Sequence, residues 1–194
     1  MYGTVIFDFF GVFCSSIATT WFTKTVPDAA AKLADLHALS KQSDLGKISR
    51  AEFNQAVSKL SGISAAEVER GIEAQIVIND TLAAYTEQLR AKGYRTACLS
   101  NGTHEWTIRI ITDHGLGHLF DEVILSADLG IIKPDPRIYR QTLEKLGITA
   151  DQAVFVDDRQ LNVDGAEACG IRSLLFTDTP SFIADFEKLS ATAR

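Results

Sequence analysis

Four short stretches of the 194-residue chain carry residue types that suit phosphoryl-transfer chemistry. A carboxylate at the end of an apolar run can attack an electrophile and form a covalent intermediate. Three neighbouring carboxylates repel one another unless a cation lies among them, and hard oxygen ligands with room for phosphate oxygens suit Mg²⁺. The residues concerned are, in chain order, Asp8, Ser100-Asn101-Gly102, Lys133 and Asp157-Asp158.

The other polar groups of these stretches fit the same reaction. Lys133 supplies a positive charge for a phosphoryl group or a carboxylate, while the Ser100 hydroxyl and the Asn101 and Gly102 amides supply hydrogen bonds. Pro134 biases the Lys133 backbone towards an extended form, which helps to set the direction of the lysine side chain. Each stretch alone has an ordinary structural explanation, as a turn, a solvated lysine or a helix N-cap. The prediction therefore depends on the fold bringing all four together.

The elements around these stretches indicate one parallel sheet. The run Thr4-Val5-Ile6-Phe7 is continuously apolar, as in a strand buried on both faces, and it ends at Asp8. Helical patterns then alternate with predicted strands at 94–99, 122–125, 153–156 and 172–176. Because such crossovers are right-handed, the carboxyl ends of all strands share one edge, where ligands of open α/β sheets bind. The prediction is a three-layer α/β/α, Rossmann-like fold with a five-stranded parallel sheet.

The region between the first strand and residue 81 has a helical pattern throughout. Capping-box sequences begin at Ser49 and Ser64, each followed by apolar residues at helical spacing. No strand-like alternation interrupts them. The sequence therefore predicts a core formed by residues 1–13 and 81–194, with residues 14–80 inserted as a small, all-helical cap subdomain.

Composition and charge narrow the class of protein. Twenty-five acidic and nineteen basic residues give a net charge of −6, which argues against nucleic acid or an anionic membrane as a main partner. The amino terminus lacks a basic segment, and Asp8 interrupts its apolar run well short of the ~20 residues that cross a bilayer. Cys14, Cys98 and Cys169 are widely spaced and are expected to be reduced thiols. We expect a cytoplasmic protein with a small-molecule substrate; the sequence does not indicate an oligomeric state.

With all four motifs in this order, the sequence resembles the haloacid dehalogenase superfamily of hydrolases, in the branch with a helical cap directly after the first strand. The resemblance covers essentially the whole chain. It implies a nucleophile, a phosphate-binding hydroxyl, a catalytic lysine and an acidic metal pair, at Asp8, Ser100, Lys133 and Asp157-Asp158, respectively. The stretch 155–159 with Asn162 and Ala166 resembles the subgroup of sugar-phosphate phosphatases and the amino-terminal domain of soluble epoxide hydrolases.

Phe10 departs from the family's phosphatase pattern. A phosphatase of the family usually has a second aspartate here, which protonates the leaving oxygen and then activates water. Such acid–base help typically contributes ~10²–10⁴-fold. The family's residue at this position binds Mg²⁺ through its backbone carbonyl, which Phe10 retains. The implied metal ligands are therefore Asp8, the Phe10 backbone carbonyl, Asp157 and Asp158, and the group that is missing is the proton carrier.

Three functions remain open, in this order of preference. The first is a Mg²⁺-dependent phosphatase of a small phosphorylated metabolite, with an aspartyl-phosphate on Asp8 and the acid supplied by a cap residue, His104 or water. The second is a metal-independent 2-haloacid dehalogenase, since halide leaves without an acid and family dehalogenases have an aromatic Tyr in place of Phe10; these typically lack the acidic pair. The third is a catalytically poor phosphate-binding protein. Trp21 and Phe22 are expected in the core of the cap rather than in its cavity.

Overall fold

The predicted sheet is present in the computed structural model, which describes residues 2–192. Its five strands are all parallel and lie in the spatial order β3-β2-β1-β4-β5. From β1 the chain goes to β2 on one side and later to β4 on the other, so the strand order reverses between β1 and β4. A crevice at such a point is where open α/β sheets bind ligands. The strands are β1 (Thr4–Phe7), β2 (Arg95–Ser100), β3 (Glu122–Leu125), β4 (Ala153–Asp157) and β5 (Arg172–Leu175).

The predicted α/β/α fold class is confirmed, with strand ends that differ from the predictions by one residue. β2 extends to Ser100 because Ser100 pairs with Leu125 of β3, and β4 extends to Asp157 because Asp157 pairs with Leu175 of β5. The sequence pattern ended both strands at the last apolar residue. Neighbouring strands therefore hold the backbone of these two polar residues in the ladder.

Four helices lie between β1 and residue 79. Both predicted capping boxes form, with reciprocal hydrogen bonds between Ser49 and Glu52 and between Ser64 and Glu67. The segment leaves and rejoins the sheet at one place, where Cys14 forms β-bridges to Phe10 and to Ile78. The helices are α1 (Ile17–Thr25), α2 (Ala29–Asp44), α3 (Arg50–Ser61) and α4 (Ala65–Glu73).

The remaining helices cover the two faces of the sheet. Alternate residues of β1 point to opposite faces, so Val5 and Phe7 join one apolar cluster and Ile6 the other. The first cluster includes side chains from α5, α6, α10 and the helices α1–α4, and the second includes side chains from α8 and α9. The helices are α5 (Asp80–Ala91), α6 (Arg109–Asp113), α7 (Ser126–Leu129), α8 (Pro136–Leu146), α9 (Gln160–Glu167) and α10 (Thr179–Thr192).

The structure also bears on the predictions about Trp21 and Phe22, about the cysteines and about membrane-spanning segments. Trp21 and Phe22 are buried in the apolar cluster, as expected for core residues. All three cysteines are free, and burial raises the pKa of the Cys14 thiol to about 11. Among residues 2–192, no helix has both the length and the hydrophobicity that a bilayer-spanning segment needs.

Candidate active site

Three carboxylates meet at the carboxyl ends of β1 and β4. Asp8 directly follows β1, and its backbone N–H donates to Val156 O of β4 at 2.8 Å. Asp157 is the last residue of β4, and Asp158 follows it. Each of the three acids offers an oxygen, and these oxygens lie within 4.8 Å of one another. The sheet therefore places together the carboxylates that the sequence separates by about 150 residues.

Lys133 lies within this cluster with its side chain fully buried. Its Nζ is 2.8 Å from Asp8 Oδ1 and 2.7 Å from Asp157 Oδ2, and it donates to Leu99 O at 2.8 Å. Burial acts to lower the pKa of Lys133, but the two carboxylates outweigh it and the pKa is raised. Burial also raises the pKa of Asp8, and Lys133 offsets part of that effect. The lysine is therefore a fixed cation directly beside the predicted nucleophile.

Two asparagines hold this arrangement in place. Asn101 Oδ1 accepts from the Lys133 backbone N–H at 2.9 Å, and Asn101 Nδ2 donates to Lys133 O at 3.2 Å. Asn162 Nδ2 donates to both oxygens of Asp157, at 2.9 and 3.1 Å. The Arg159 backbone N–H donates to Asp157 Oδ1 at 2.9 Å. Asn101, which the sequence predicted to bind substrate, thus positions the backbone of Lys133 while also lining the cavity.

Unpartnered hydroxyls surround Gly102. Among residues 2–192, the buried hydroxyl oxygens of Ser100, Thr103 and Thr107 have no hydrogen-bond partner. A Cβ added to Gly102 would lie 2.5 Å from Thr107 Oγ1 and 3.3 Å from Ser100 Oγ, so a side chain here would crowd both hydroxyls. The Gly102 N–H donates to Ser126 Oγ at 3.1 Å. Because an unpaired buried hydroxyl costs about 1–3 kcal/mol, a hydrogen-bond acceptor that reached these groups would offset that cost.

The carboxylate cluster fits a divalent cation. Three acids face one ammonium, which leaves an excess of two negative charges when all are ionised. Asp158 Oδ1 is buried without a partner within residues 2–192, and burial, followed by the charge of Asp157, raises the pKa of Asp158. Gly11 has φ +94°, and a Cβ there would lie only 2.2 Å from Asp158 Oδ2. Hard oxygen ligands in this arrangement suit Mg²⁺. The Phe10 backbone carbonyl as a further ligand stays a prediction.

A cavity of about 680 Å³ separates this cluster from the helices above it. Asp8, Phe10, Asn101, Gly102, Lys133 and Asp158 line its lower side, which we call the floor. Ser100 and Asp157 are fully buried and belong to the floor without lining the cavity. His104, considered at the sequence level as a possible acid, instead pairs with Asp128 at 2.9 Å on the surface. The floor thus contains all eight residues predicted for the site.

The opposite side of the cavity, which we call the roof, is lined by residues of the helices over the floor. Some of these residues were not predicted from the sequence. Helix α2 contributes a polar stripe at positions i, i+3, i+4 and i+7, formed by His37, Ser40, Lys41 and Asp44. The same spacing is typical of a solvated helix face, so it carried no specific signal. Burial raises the pKa of Asp44 to about 7, although Lys133 and Arg159 act to lower it.

Comparisons with known proteins agree with this geometry. The family model for haloacid dehalogenase-like hydrolases matches residues 2–170. The chain is 35% identical over 92 residues to phosphoserine phosphatase of Thermus thermophilus, covering 47% of this chain and 37% of that protein. It is 33% identical over 88 residues to (S)-2-haloacid dehalogenase 4A of Burkholderia cepacia, covering 45% of this chain and 38% of that protein. It therefore spans well under half the length of these curated relatives.

A solved structure covers more of the fold. The chain is 21% identical to a HAD family enzyme from Bacteroides thetaiotaomicron, solved in complex with magnesium and inorganic phosphate, with a TM-score of 0.76. The alignment covers 90% of this chain and 94% of that one, and it concerns the fold alone. The resemblance in the sequence is thus confirmed at the level of the family, while the subgroup and the cap branch stay predictions. The chain belongs to the family of haloacid dehalogenase-like hydrolases.

Proposed function

We propose that this hydrolase is a Mg²⁺-dependent phosphatase of a small phosphorylated metabolite, acting through an aspartyl-phosphate on Asp8. The observation that carries the proposal is the cluster of Asp8, Asp157 and Asp158 around a single buried ammonium, with an unpartnered oxygen on Asp158. Such a floor requires a cation before it accepts any anion. A metal-independent reaction on a 2-haloacid would bring another carboxylate against the uncompensated charges.

The residues of the floor divide the reaction between them. An Asp8 oxygen attacks phosphorus, the bond from phosphorus to the leaving oxygen breaks, and water later attacks the aspartyl-phosphate and releases phosphate. Lys133 and the Ser100 hydroxyl stabilise the charge on the phosphoryl oxygens. When bound to Asp8, Asp157, Asp158 and the Phe10 carbonyl, Mg²⁺ would neutralise charge on both the acids and the phosphoryl group.

The helices over the floor are proposed to select the substrate. We retain the division into a core of residues 1–13 and 81–194 and a cap of residues 14–80, in which the roof of the cavity belongs to the cap. A cap of this kind excludes water from the reacting atoms and contacts the part of the substrate that is not transferred. The stripe on α2 and the apolar Ile17, Phe53 and Ile72 give this cavity both polar and apolar lining.

The test is a hydrolysis panel of sugar phosphates, aryl phosphates and 2-haloacids, each with Mg²⁺ and with EDTA. We expect phosphate release that requires Mg²⁺ and that falls by at least ~10³-fold in Asp8→Asn, because the nucleophile is lost. The matched control is Asp35→Asn, which changes an exposed aspartate on α2. Halide release that persists in EDTA, without phosphate release, would instead identify a dehalogenase. Binding of phosphate without turnover would identify the binding protein.

A further inference from the structure

On the floor, every carboxyl group already has a role, so none is free to protonate a leaving oxygen. Phe10 lines the cavity where the family's phosphatases have their acid, and an aromatic ring carries no exchangeable proton. Asp8 and Asp157 contact Lys133, and Asp158 belongs to the candidate metal cluster. An alcohol is a poor leaving group without a proton, and acid help is typically worth ~10²–10⁴-fold. A phosphatase with this floor therefore takes the proton from water or from an acid of the roof.

Asp44 is the roof carboxylate that faces the floor. It is the last residue of α2 and lines the same cavity as Asp8 and Lys133. Its carboxylate has no hydrogen bond or ion pair within the part of the chain that the structure describes, and the charges that act to lower its pKa are those of Lys133 and Arg159. The charge of Lys133 on the floor thus acts on the Asp44 carboxylate, and this carboxylate forms no hydrogen bond or ion pair with the described residues.

The backbone of Asp44 is attached directly to the floor. Ser126 Oγ donates to Asp44 O at 2.6 Å and accepts from the Gly102 N–H at 3.1 Å, so one hydroxyl joins the end of α2 to the loop after β2. Gly46 strengthens the contact, because its φ is +68° and a Cβ there would lie 2.7 Å from Ala127 O of α7. The position of Asp44 over the floor is therefore set by specific contacts rather than by the cap helices alone.

The protonation state of Asp44 suits an acid. Burial raises its pKa to about 7, and a carboxylate at the carboxyl end of a helix is further disfavoured by the partial negative charge of the last carbonyls. On α7, Asp128 is paired with His104 at the surface, away from this carboxylate. The titratable and charged groups that share the cavity are Asp8, His37, Lys41, Lys133, Asp158 and Arg159. A group with a pKa near the working pH is efficient in proton transfer in both directions.

We propose that Asp44 is the general acid–base residue of this enzyme and supplies the proton that Phe10 cannot; the inference rests on the proposed phosphatase function. As Asp8 attacks phosphorus and the bond to the leaving oxygen breaks, the Asp44 carboxyl gives its proton to that oxygen, and an alcohol leaves. The Asp44 carboxylate then takes a proton from the water that attacks the aspartyl-phosphate. Asp8 is regenerated as phosphate leaves, and Asp44 is again protonated.

The test compares two leaving groups in Asp44→Asn, an almost isosteric change. 4-Nitrophenol leaves without a proton, whereas glycerol needs one, so glycerol phosphate and 4-nitrophenyl phosphate are the two substrates. Because kcat/KM reports the steps up to transfer to Asp8, we expect it to fall ~10²-fold or more for glycerol phosphate and less than ~10-fold for 4-nitrophenyl phosphate. The variant should also show a burst of nitrophenolate, since the aspartyl-phosphate accumulates without its base.

The pH profile provides an independent readout. The reaction with glycerol phosphate needs protonated Asp44, so wild-type kcat/KM should fall as the pH rises through about 7, and this limb should disappear in Asp44→Asn. Asp35→Asn on the same helix is the control and should retain the wild-type profile.

Two results separate the two proposals. Equal losses for both substrates, or an unchanged basic limb in Asp44→Asn, overturn the role of Asp44 while the phosphatase function stands. A wild-type enzyme that releases phosphate neither from these two esters nor from any ester of the hydrolysis panel overturns the phosphatase function and the acid role together.

Discussion

The floor and the roof of the cavity differ in how far their charged side chains are buried and in what holds them in place. On the floor, Lys133 and Asp157 have fully buried side chains, and strand pairing and two asparagines hold their positions. On the roof, the α2 residues His37 and Lys41 are exposed and Asp44 is only partly buried. A buried charged group keeps its position because separation from its partner costs free energy, whereas a partly solvated charged group can contact different ligands. The floor is therefore suited to one reaction and the exposed part of the roof to a choice of substrate, while a backbone contact with Ser126 holds Asp44 over the floor.

The roof is also attached to the rest of the fold by weaker interactions. The Arg50 guanidinium contacts Glu69 and Glu73 and stacks over Trp106, 4.0 Å from the ring centroid. Arg109 also contacts Glu73. The acids in this network are partly exposed, with side-chain exposures of 42% for Glu69 and 33% for Glu73, so solvent screens their ion pairs. Substitutions should accordingly affect the two sides of the cavity to very different extents.

Among the substitutions that compare the floor with the roof, the largest effect is expected from Lys133→Met, which removes the cation of the floor. Asp8 and Asp157 would then be buried without their partner, and breaking a buried pair typically costs about 3–5 kcal/mol. Loss of this charge should also lower kcat by ~10²–10³-fold. Urea denaturation in EDTA and phosphate release with Mg²⁺ measure the two effects. In Lys145→Met, which breaks the surface pair with Glu122, we expect a loss below ~1 kcal/mol. Equal losses in the two variants would contradict the contrast between floor and surface.

An intermediate effect is expected from Phe10→Asp, which gives the floor its own acid. This variant should raise kcat/KM for glycerol phosphate by roughly tenfold, and in its background Asp44→Asn should cost less than ~10-fold, because either acid then serves. Phe10→Asn is the control, since it introduces a similar side chain with no acidic proton. Lower activity in a folded Phe10→Asp protein would show that the account of the missing acid is wrong.

The smallest effect is expected from Arg50→Ala, which loosens the roof. The Arg50 side chain is largely buried, but its carboxylate partners are partly exposed. Ion pairs screened in this way are worth about 0.2–1 kcal/mol and a cation–π contact about 0.5–1 kcal/mol, so we expect a loss of about 1–2 kcal/mol in the free energy of unfolding. The KM should rise a few-fold while kcat changes little, because the floor is untouched. Arg137→Ala, at an exposed pair with Asp135, serves as the control. A kcat loss as large as that of Lys133→Met would mean that Arg50 acts on the reacting groups and not only on the attachment of the roof.

The residues of the floor could be predicted from the sequence because they lie at the ends of predicted strands or in the segments that follow them. Asp8 and Asp157 each end an apolar strand, and parallel strands with right-handed crossovers leave their carboxyl ends at one edge. Ser100 lies at the end of another such strand, and Lys133 lies between α7 and α8 in the connection that follows the third strand. The sequence was less informative about contacts, since the amide of Asn101 could equally have faced substrate or the Lys133 backbone.

By itself, the sequence thus determined the parallel sheet, the shared edge at which its strands end, and the family. Only the tertiary structure decided which roof residues face the floor. The stripe that ends at Asp44 has the spacing of any solvated helix face, and its orientation depends on how α2 packs against α1 and α3 and docks on α7. Those contacts join residues that are far apart in the sequence, such as Asp44 and Ser126. Strand direction is a local property of the chain, whereas the rotation of a helix about its axis is set by distant partners.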